Sequence, residues 1–158
     1  MRTNVVEPTT DGERQYHLTI HNIDLKRVMQ HGNIEMMRFL LDDSRVDLTA
    51  ENNYAVRTAS ENGHTEIVRL LLTNPNINPA AEDNYAIKLA SKNGHAGVVK
   101  LLLADERVDP AAEDNYAIKW ACRGGNFEVV KLLLEDGRVD PMAEDNYAIK
   151  WASRGGGI

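Results

Sequence analysis

Cysteine, long apolar runs and positive charge are all scarce in this sequence. Its one cysteine, Cys122, cannot form an intramolecular disulfide, which is typical of a reducing compartment. No apolar run reaches the roughly 18 residues of a membrane span, and the first residues lack the apolar core of a secretory signal. Acidic residues outnumber basic ones by 24 to 18, and a net charge of −6 is unsuited to binding nucleic-acid phosphates. We therefore expect an intracellular protein, cytoplasmic or nuclear, that binds neither membranes nor nucleic acids.

The sequence motifs that carry enzyme chemistry are also missing. There is no glycine-rich phosphate loop, no zinc-like spacing of histidine and cysteine, and no residue placed to activate Cys122 as a nucleophile. Cys122 takes the place of Ser91 and Ser153 in the repeat described below, which favours a small buried residue. His64 and His95 alternate in their frame with asparagine, which suits capping rather than metal binding. We expect no catalytic residue, no metal and no cofactor.

What the sequence does contain is an internal repeat. The segment Asp-Asn-Tyr-Ala-Ile-Lys occurs three times after a weaker first copy, and the four tyrosines are spaced 31 residues apart. They are Tyr54, Tyr85, Tyr116 and Tyr147. Self-similarity at a fixed period of this length predicts a stacked repeat protein. Stacked repeats usually build extended binding surfaces rather than catalytic pockets.

The repeating unit at 82–112 predicts two helices joined by a tight turn. The first helix follows a polar Glu-Asp-Asn segment, in which Asp83 or Asn84 is expected to cap the helix. It ends at Gly94, because glycine tolerates the left-handed backbone of a helix C-terminus. The second helix, roughly 95–104, is apolar over most of its circumference, as in a helix buried between neighbours. Two such short helices cannot bury their apolar faces alone, and so the units must stack.

Residues 90–103, Ala-Ser-Lys-Asn-Gly-His-Ala-Gly-Val-Val-Lys-Leu-Leu-Leu, resemble the ankyrin-repeat core A-x-x-x-G-H-x-x-V-V-x-L-L-L, and residues 61–72 match it equally well. The resemblance covers about residues 20–158 and implies an all-α, ankyrin-type helix-turn-helix repeat solenoid with short connecting loops or hairpins. The period is 31 rather than the family's usual value of about 33, so a full hairpin finger is not expected. Tyr-Ala-Ile-Lys also replaces the family's Thr-Pro-Leu-His. Such short repeats resemble those of giant viruses and amoebae.

In this register the chain divides into six segments, which are an N-terminal tail or irregular cap at 1–19, a degenerate first ankyrin repeat at 20–50, full repeats at 51–81, 82–112 and 113–143, and a partial repeat at 144–158. The repeats from 20 to 143 are called units 1 to 4 below. The partial repeat stops where a second helix should begin. We expect either a fragment of a longer array or an end that pairs with another chain, with a monomer as the default.

Aligning the units places equivalent side chains in ladders along the array. The charged ladders suit either a striped surface for a protein partner or a solvated face that keeps the array soluble. The tyrosine ladder suits either rings packed between units or an exposed aromatic strip. Specificity is expected at positions that vary between units, chiefly Leu89/Trp120, Lys92/Arg123, Asn93/Gly124 and Ala96/Phe127.

The resemblance and the ladders favour a non-catalytic protein–protein interaction module or scaffold. A rigid array would present its loop tips and first-helix faces to a partner protein, whose identity the sequence does not specify. The alternative is the repeat region of a larger enzyme or receptor with catalysis elsewhere. The predicted partner-binding residues are Glu82, Asp83, Asn84, Lys88 and Lys92 in unit 3, and Glu113, Asp114, Asn115, Lys119 and Arg123 in unit 4.

Overall fold

The computed structural model describes residues 24–142, 146 and 148–150, and all regular structure within them is helical. The helices are α1 (24–31), α2 (Ile34–Leu41), α3 (Ala50–Glu61), α4 (Thr65–Leu72), α5 (Ala81–Asn93), α6 (Ala96–Leu103), α7 (Ala112–Arg123) and α8 (Phe127–Asp136). Odd-numbered helices are the first helices of their units and even-numbered helices are the second. The predicted all-α solenoid is confirmed. The tail at 1–19 and most of the partial repeat lie outside the described residues.

The first helix of unit 3 ends where the sequence predicts. Gly94 has φ of 78°, in the left-handed region, and terminates α5. The backbone N–H of His95 then donates to the carbonyl of Ala90 at 2.9 Å, the closing bond of a Schellman motif. This tight reversal places α6 directly against α5.

The second helices are buried between their neighbours, as predicted. In α6, Val98, Val99 and Leu102 have no measurable exposure, and Leu101 is partly buried against the same core. Burying one such side chain contributes about 1.5–3 kcal/mol relative to leaving it in water. Neither helix of a unit can supply this burial alone, since the covering atoms come from the units on either side.

The stack has one continuous apolar core, which runs from Leu25 in unit 1 to Ala148. The first helices contact one another more extensively than the second helices do. The stack is therefore more tightly packed on the first-helix side, which is called the inner face below. Side chains on this face from successive units lie next to one another.

A short left-handed turn precedes each first helix of units 2 to 4. Three successive residues have φ between 51 and 64°, and the N–H of the third bonds to the carbonyl four residues earlier at 2.9–3.0 Å. The triplets are 51–53, 82–84 and 113–115. Left-handed backbone costs a non-glycine residue roughly 1–2 kcal/mol, and asparagine and aspartate tolerate it best. No strand forms in the described ranges. The compact turn occupies the position of the family's hairpin finger, which the short period of this sequence did not lead us to expect.

Asp83 and Asn84 do not cap α5, and this prediction from the sequence is wrong. Both residues have left-handed backbone, and the helix begins without a side-chain cap bond. Asn126 likewise does not cap α8, whereas Asn33 caps α2 by accepting from the N–H of Met36 at 2.9 Å. The physical reason is tertiary, because Asn84 bonds to the loop at the end of its own unit and Asn126 bonds to the preceding unit.

Candidate functional site

The predicted partner-binding residues fall into three classes of exposure. The exposed members are Glu82, Asp83, Glu113 and Asp114 at the left-handed turns, and Lys92 and Arg123 on the first helices. The half-buried members are Asn115 and Lys119. The buried members are Asn84 and Lys88. The turn tips and the inner face therefore carry the accessible charges.

Lys88 does not point outward, contrary to the interpretation of the sequence. Its side chain is only 7% exposed, and its Nζ donates to Glu113 Oε2 at 2.7 Å. The same Nζ lies 5.7 Å from the ring centroid of Tyr85 and 5.5 Å from that of Tyr116. A lysine can bury its apolar stem in this way while its ammonium finds a carboxylate. Lys88 therefore connects units 3 and 4, and its buried side chain is not exposed to a binding partner.

The same relationship between a cation and the next unit recurs at the start of the array. Lys26 Nζ lies 2.9 Å from a carboxylate oxygen of Glu51 and 5.5 Å from the ring centroid of Tyr54. Arg57 lies 5.8 Å from the ring of Tyr85, but its guanidinium donates to two carbonyls of its own left-handed turn at 2.8 and 2.9 Å. Tyr54, Tyr85 and Tyr116, the three tyrosines of the ladder that the structure describes, are thus linked between units through cations rather than through stacking of one tyrosine ring on another.

The tyrosines remain accessible at the same time. Tyr85 is 40% exposed and Tyr116 is 37% exposed. Each ring has one part held by cations and another part in solvent. For Tyr85 and Tyr116, both interpretations of the tyrosine ladder therefore apply, because each ring is packed between units and is also partly exposed.

Asparagine amides connect each left-handed turn to the loop at the end of the same unit, which leads to the next unit. Asn84 Oδ1 accepts from the backbone N–H of Asp109 at 2.7 Å. Asn53 and Asn115 make the equivalent bond at 2.8 and 2.9 Å. The third residue of each triplet is thus an asparagine for two reasons, since it tolerates left-handed backbone and supplies an acceptor.

An Asp-x-Arg motif, which the sequence analysis did not single out, connects the units on the outer side. Arg138 bonds to both carboxylate oxygens of Asp136 at 2.6 and 2.9 Å, and reaches two carbonyls of unit 3 at 2.7 and 2.8 Å. Arg107 bonds to Asp105 and to the carbonyl of Ile77 in the same manner. These hydrogen bonds from arginine hold the pKa of Asp105 and of Asp136 below the ordinary value. The sequence does contain a signal from which this motif could have been predicted, because Asp-x-Arg-Val-Asp is repeated in three units.

The histidine and asparagine at the turn between the two helices cap the preceding unit. His95 Nε2 lies 2.9 Å from the carbonyl of Glu61, and a carbonyl only accepts, so Nε2 carries a proton. Asn126 Nδ2 donates to the carbonyls of Ser91 and Lys92 at 2.9 Å. The last carbonyls of a helix have no partner within it. The expected capping role is therefore found at the C-terminus of the neighbouring first helix.

Two models of the same family match this sequence. One, described as "Ankyrin repeats (3 copies)", matches residues 87–157, and the other, described as "Ankyrin repeat", matches residues 54–84. The chain belongs to the ankyrin-repeat family. Comparison with the curated proteins gives no match. Ankyrin repeats are generally modules for protein–protein interaction and are generally non-catalytic.

Trp120, on the first helix of unit 4, lies beside two exposed cations. Lys92 Nζ lies 4.7 Å from the indole centroid of Trp120, and Arg123 Cζ lies 5.8 Å from it. The ring of Tyr116 is 5.4 Å from the indole, and Trp120 itself is partly exposed. The sequence identified Trp120, Lys92 and Arg123 as variable positions. It did not predict that Lys92 of one ankyrin repeat contacts Trp120 of the next.

No catalytic or metal-binding chemistry emerges from the described part of the ankyrin array. That part contains no cluster of three or more histidine, cysteine, aspartate or glutamate residues able to hold a metal ion. Cys122 is buried, and burial raises the pKa of its thiol to about 11. A protonated thiol is a poor nucleophile at neutral pH. No described helix is long and apolar enough to cross a membrane.

Proposed function

We propose that this chain is a non-catalytic interaction module or scaffold that binds a partner protein through its left-handed turn tips and its first-helix face. The observation that supports it is a row of exposed side chains on a backbone fixed by bonds between units. Asp83 and Asp114 project at the turn tips, while Lys92 and Arg123 lie on the inner face. A surface that is already ordered loses little conformational entropy on binding.

The buried members of the predicted set act differently from the exposed ones. Asn84 bonds to the loop at the end of its own unit and Lys88 bonds to the following unit, and together they hold the turn and the tyrosines in place. Their substitution would disturb the surface through the fold, rather than by removing a contact. Charge reversal of Lys88, which the sequence interpretation would suggest as a test of binding, would therefore report on stability instead.

Surface variants test the proposal without disturbing these supports. Wild-type protein would capture partners from native cell extract, mass spectrometry would identify them, and calorimetry would measure binding to the purified partner. The turn variant is Asp83→Lys with Asp114→Lys, and the inner-face variant is Lys92→Glu with Arg123→Glu. We expect each to weaken binding by about tenfold or more, since reversed charges repel a complementary partner.

Lys100 provides the matched control, because it is exposed on the second helix α6. Lys100→Glu should leave the affinity unchanged. The inner-face variant and Lys100→Glu should unfold at the wild-type temperature. The turn variant should unfold slightly below it, because lysine tolerates left-handed backbone less well than aspartate, but it should still be folded at the temperature of the binding measurement. Wild-type affinity in both the turn variant and the inner-face variant would contradict the proposal.

A further inference from the structure

Lys92 and Arg123 differ from Lys26 and Lys88, two first-helix lysines that are paired with carboxylates. Lys26 and Lys88 each bond to a glutamate of the next unit, at 2.9 and 2.7 Å. Over the ranges that the structure describes, no carboxylate lies within salt-bridge distance of Lys92 or Arg123. Both cations are exposed, and both lie against the indole of Trp120.

This patch has a charge opposite to that of the molecule. The chain carries a net charge of −6, yet Lys92 and Arg123 place two positive charges, unpaired with any carboxylate of the described residues, beside one aromatic ring. Charge complementarity therefore favours an acidic ligand at this point. The partly exposed indole adds a flat apolar surface of the kind that dominates binding energy at protein interfaces.

We infer that Lys92, Trp120 and Arg123 bind an acidic, extended segment of the partner protein. Carboxylates of the segment pair with the two cations, and an apolar side chain between them lies on the exposed part of the indole. This inference rests on the proposed function and gives its partner a chemistry. An acidic peptide is favoured over nucleic acid, because the turn tips at Asp83 and Asp114 would repel a long phosphate backbone.

The spacing of the units fixes the spacing of the ligand. Packed helices are roughly 8–10 Å apart, and an extended chain advances about 3.3 Å per residue. The two acidic residues should therefore stand about three positions apart. Glu61 occupies in unit 2 the position that Lys92 occupies in unit 3. The charges at this position are therefore negative, positive and positive along units 2 to 4. The acidic pair of the segment should accordingly lie over units 3 and 4.

Fluorescence of Trp120 tests the inference directly. The chain has two tryptophans, so Trp151→Phe leaves Trp120 as the single reporter. The probe is a capped peptide Gly-Glu-Leu-Ala-Glu-Gly, whose two glutamates are three positions apart. The control peptides replace both glutamates by glutamine or by lysine. We expect the glutamate peptide to bind about tenfold or more tightly than the glutamine peptide, and the lysine peptide not to bind.

Protein variants then assign the binding to the three residues. Lys92→Ala and Arg123→Ala, read by the same fluorescence, should each weaken binding of the glutamate peptide, while Lys100→Ala should not. Trp120→Leu, which lacks the reporter and is read by calorimetry, should weaken it as well. Leucine is the natural residue at the equivalent position 89, so Trp120→Leu is compatible with the fold. Raising the salt from about 50 to about 500 mM should weaken binding, because exposed charges are screened.

Several outcomes would overturn the inference. They are equal binding of the glutamate and glutamine peptides, no binding of the glutamate peptide up to about 10 mM, and unchanged binding in the Lys92→Ala and Arg123→Ala variants. Binding of a phosphorylated peptide in the absence of any glutamate-peptide binding would also overturn it. If Asp83→Lys with Asp114→Lys abolishes binding of the captured partner while Lys92→Ala with Arg123→Ala does not, only this inference fails and the proposed function stands.

Discussion

The side-chain oxygen of Asn84 accepts a hydrogen bond from the backbone N–H of Asp109, 2.7 Å away in the loop that ends the same unit. Asn84 is the last residue of a left-handed turn, and its side chain is directed into the stack rather than toward its own helix. The bond connects the entrance of one first helix to the loop that leads to the following one. A side chain that the sequence suggests as a local cap thus makes a contact 25 residues away, which closes its unit.

Asn84→Ala should destabilise the fold by about 1–3 kcal/mol, because it leaves the partly buried N–H of Asp109 without an acceptor. Asp83→Ala is the matched control, since Asp83 has the same left-handed backbone but is exposed. Urea denaturation of both variants measures the difference. Equal destabilisation would show that the backbone conformation, rather than the amide bond, is what Asn84 supplies.

Lys88 and Glu113 should be energetically coupled. Glu113→Ala in the wild-type background should cost about 1–3 kcal/mol, because it leaves a buried ammonium without its carboxylate. Lys88→Met replaces the stem with a similar apolar volume and should cost less than about 1.5 kcal/mol. In the Lys88→Met background, Glu113→Ala should then have little effect. A double-mutant cycle by denaturant unfolding checks this, and additive effects would argue against the coupling.

Gly94 and Gly125 form a natural pair for separating backbone strain from packing. Both have left-handed backbone, with φ of 78 and 73°. A Cβ added at Gly94 would lie 2.6 Å from Asn126 Oδ1, whereas one added at Gly125 would meet nothing within 4 Å. Gly125→Ala should therefore show only the backbone cost, about 1–2 kcal/mol.

Gly94→Ala should cost more than Gly125→Ala, since Asn126 must move and give up its bonds to the carbonyls of Ser91 and Lys92. Thermal unfolding of the two single variants measures the difference. Adding Asn126→Ala to Gly94→Ala should remove the steric part of the penalty. A similar penalty in all three proteins would contradict the predicted clash.

The array should lose stability in acid partly through Asp105 and Asp136. Hydrogen bonds from Arg107 and Arg138 hold the pKa values of these carboxyls below the ordinary value. Their stabilising contribution is fully present above the unfolded aspartate pKa of about 3.9 and is lost as the pH falls through the lower folded values. Asp105→Asn with Asp136→Asn should flatten the fall of the melting temperature below about pH 5. An unchanged fall would refute this assignment.

Cys122 should be unreactive in the folded protein. Burial raises the pKa of its thiol to about 11, so almost none is thiolate at neutral pH. Iodoacetamide should label it slowly in native buffer and rapidly in denaturant, with mass spectrometry as the readout. Cys122→Ser should fold to the same array, because Ser91 occupies the equivalent buried position in unit 3. Rapid native labelling would contradict the buried assignment.

The local parts of the fold could be predicted from the sequence. The 31-residue period, the apolar second helices and the end of α5 at Gly94 depend on residues close together in the chain, and all three are found in the structure. The roles of the polar residues could not be predicted in this way. Asparagine caps a helix in α2 but bonds to the preceding unit at Asn126, although both positions have the same sequence context.

The sequence alone determined that this protein is a stack of short helical units, since an apolar pattern repeated at a fixed interval has one way to be buried. Only the tertiary structure decided which charges are available to a partner. Lys88 is buried against Glu113, 25 residues further along the chain, whereas Lys92, one helical turn later, is exposed beside Trp120. The exposure of a side chain depends on what the neighbouring unit places against it, and local pattern carries no information about that neighbour.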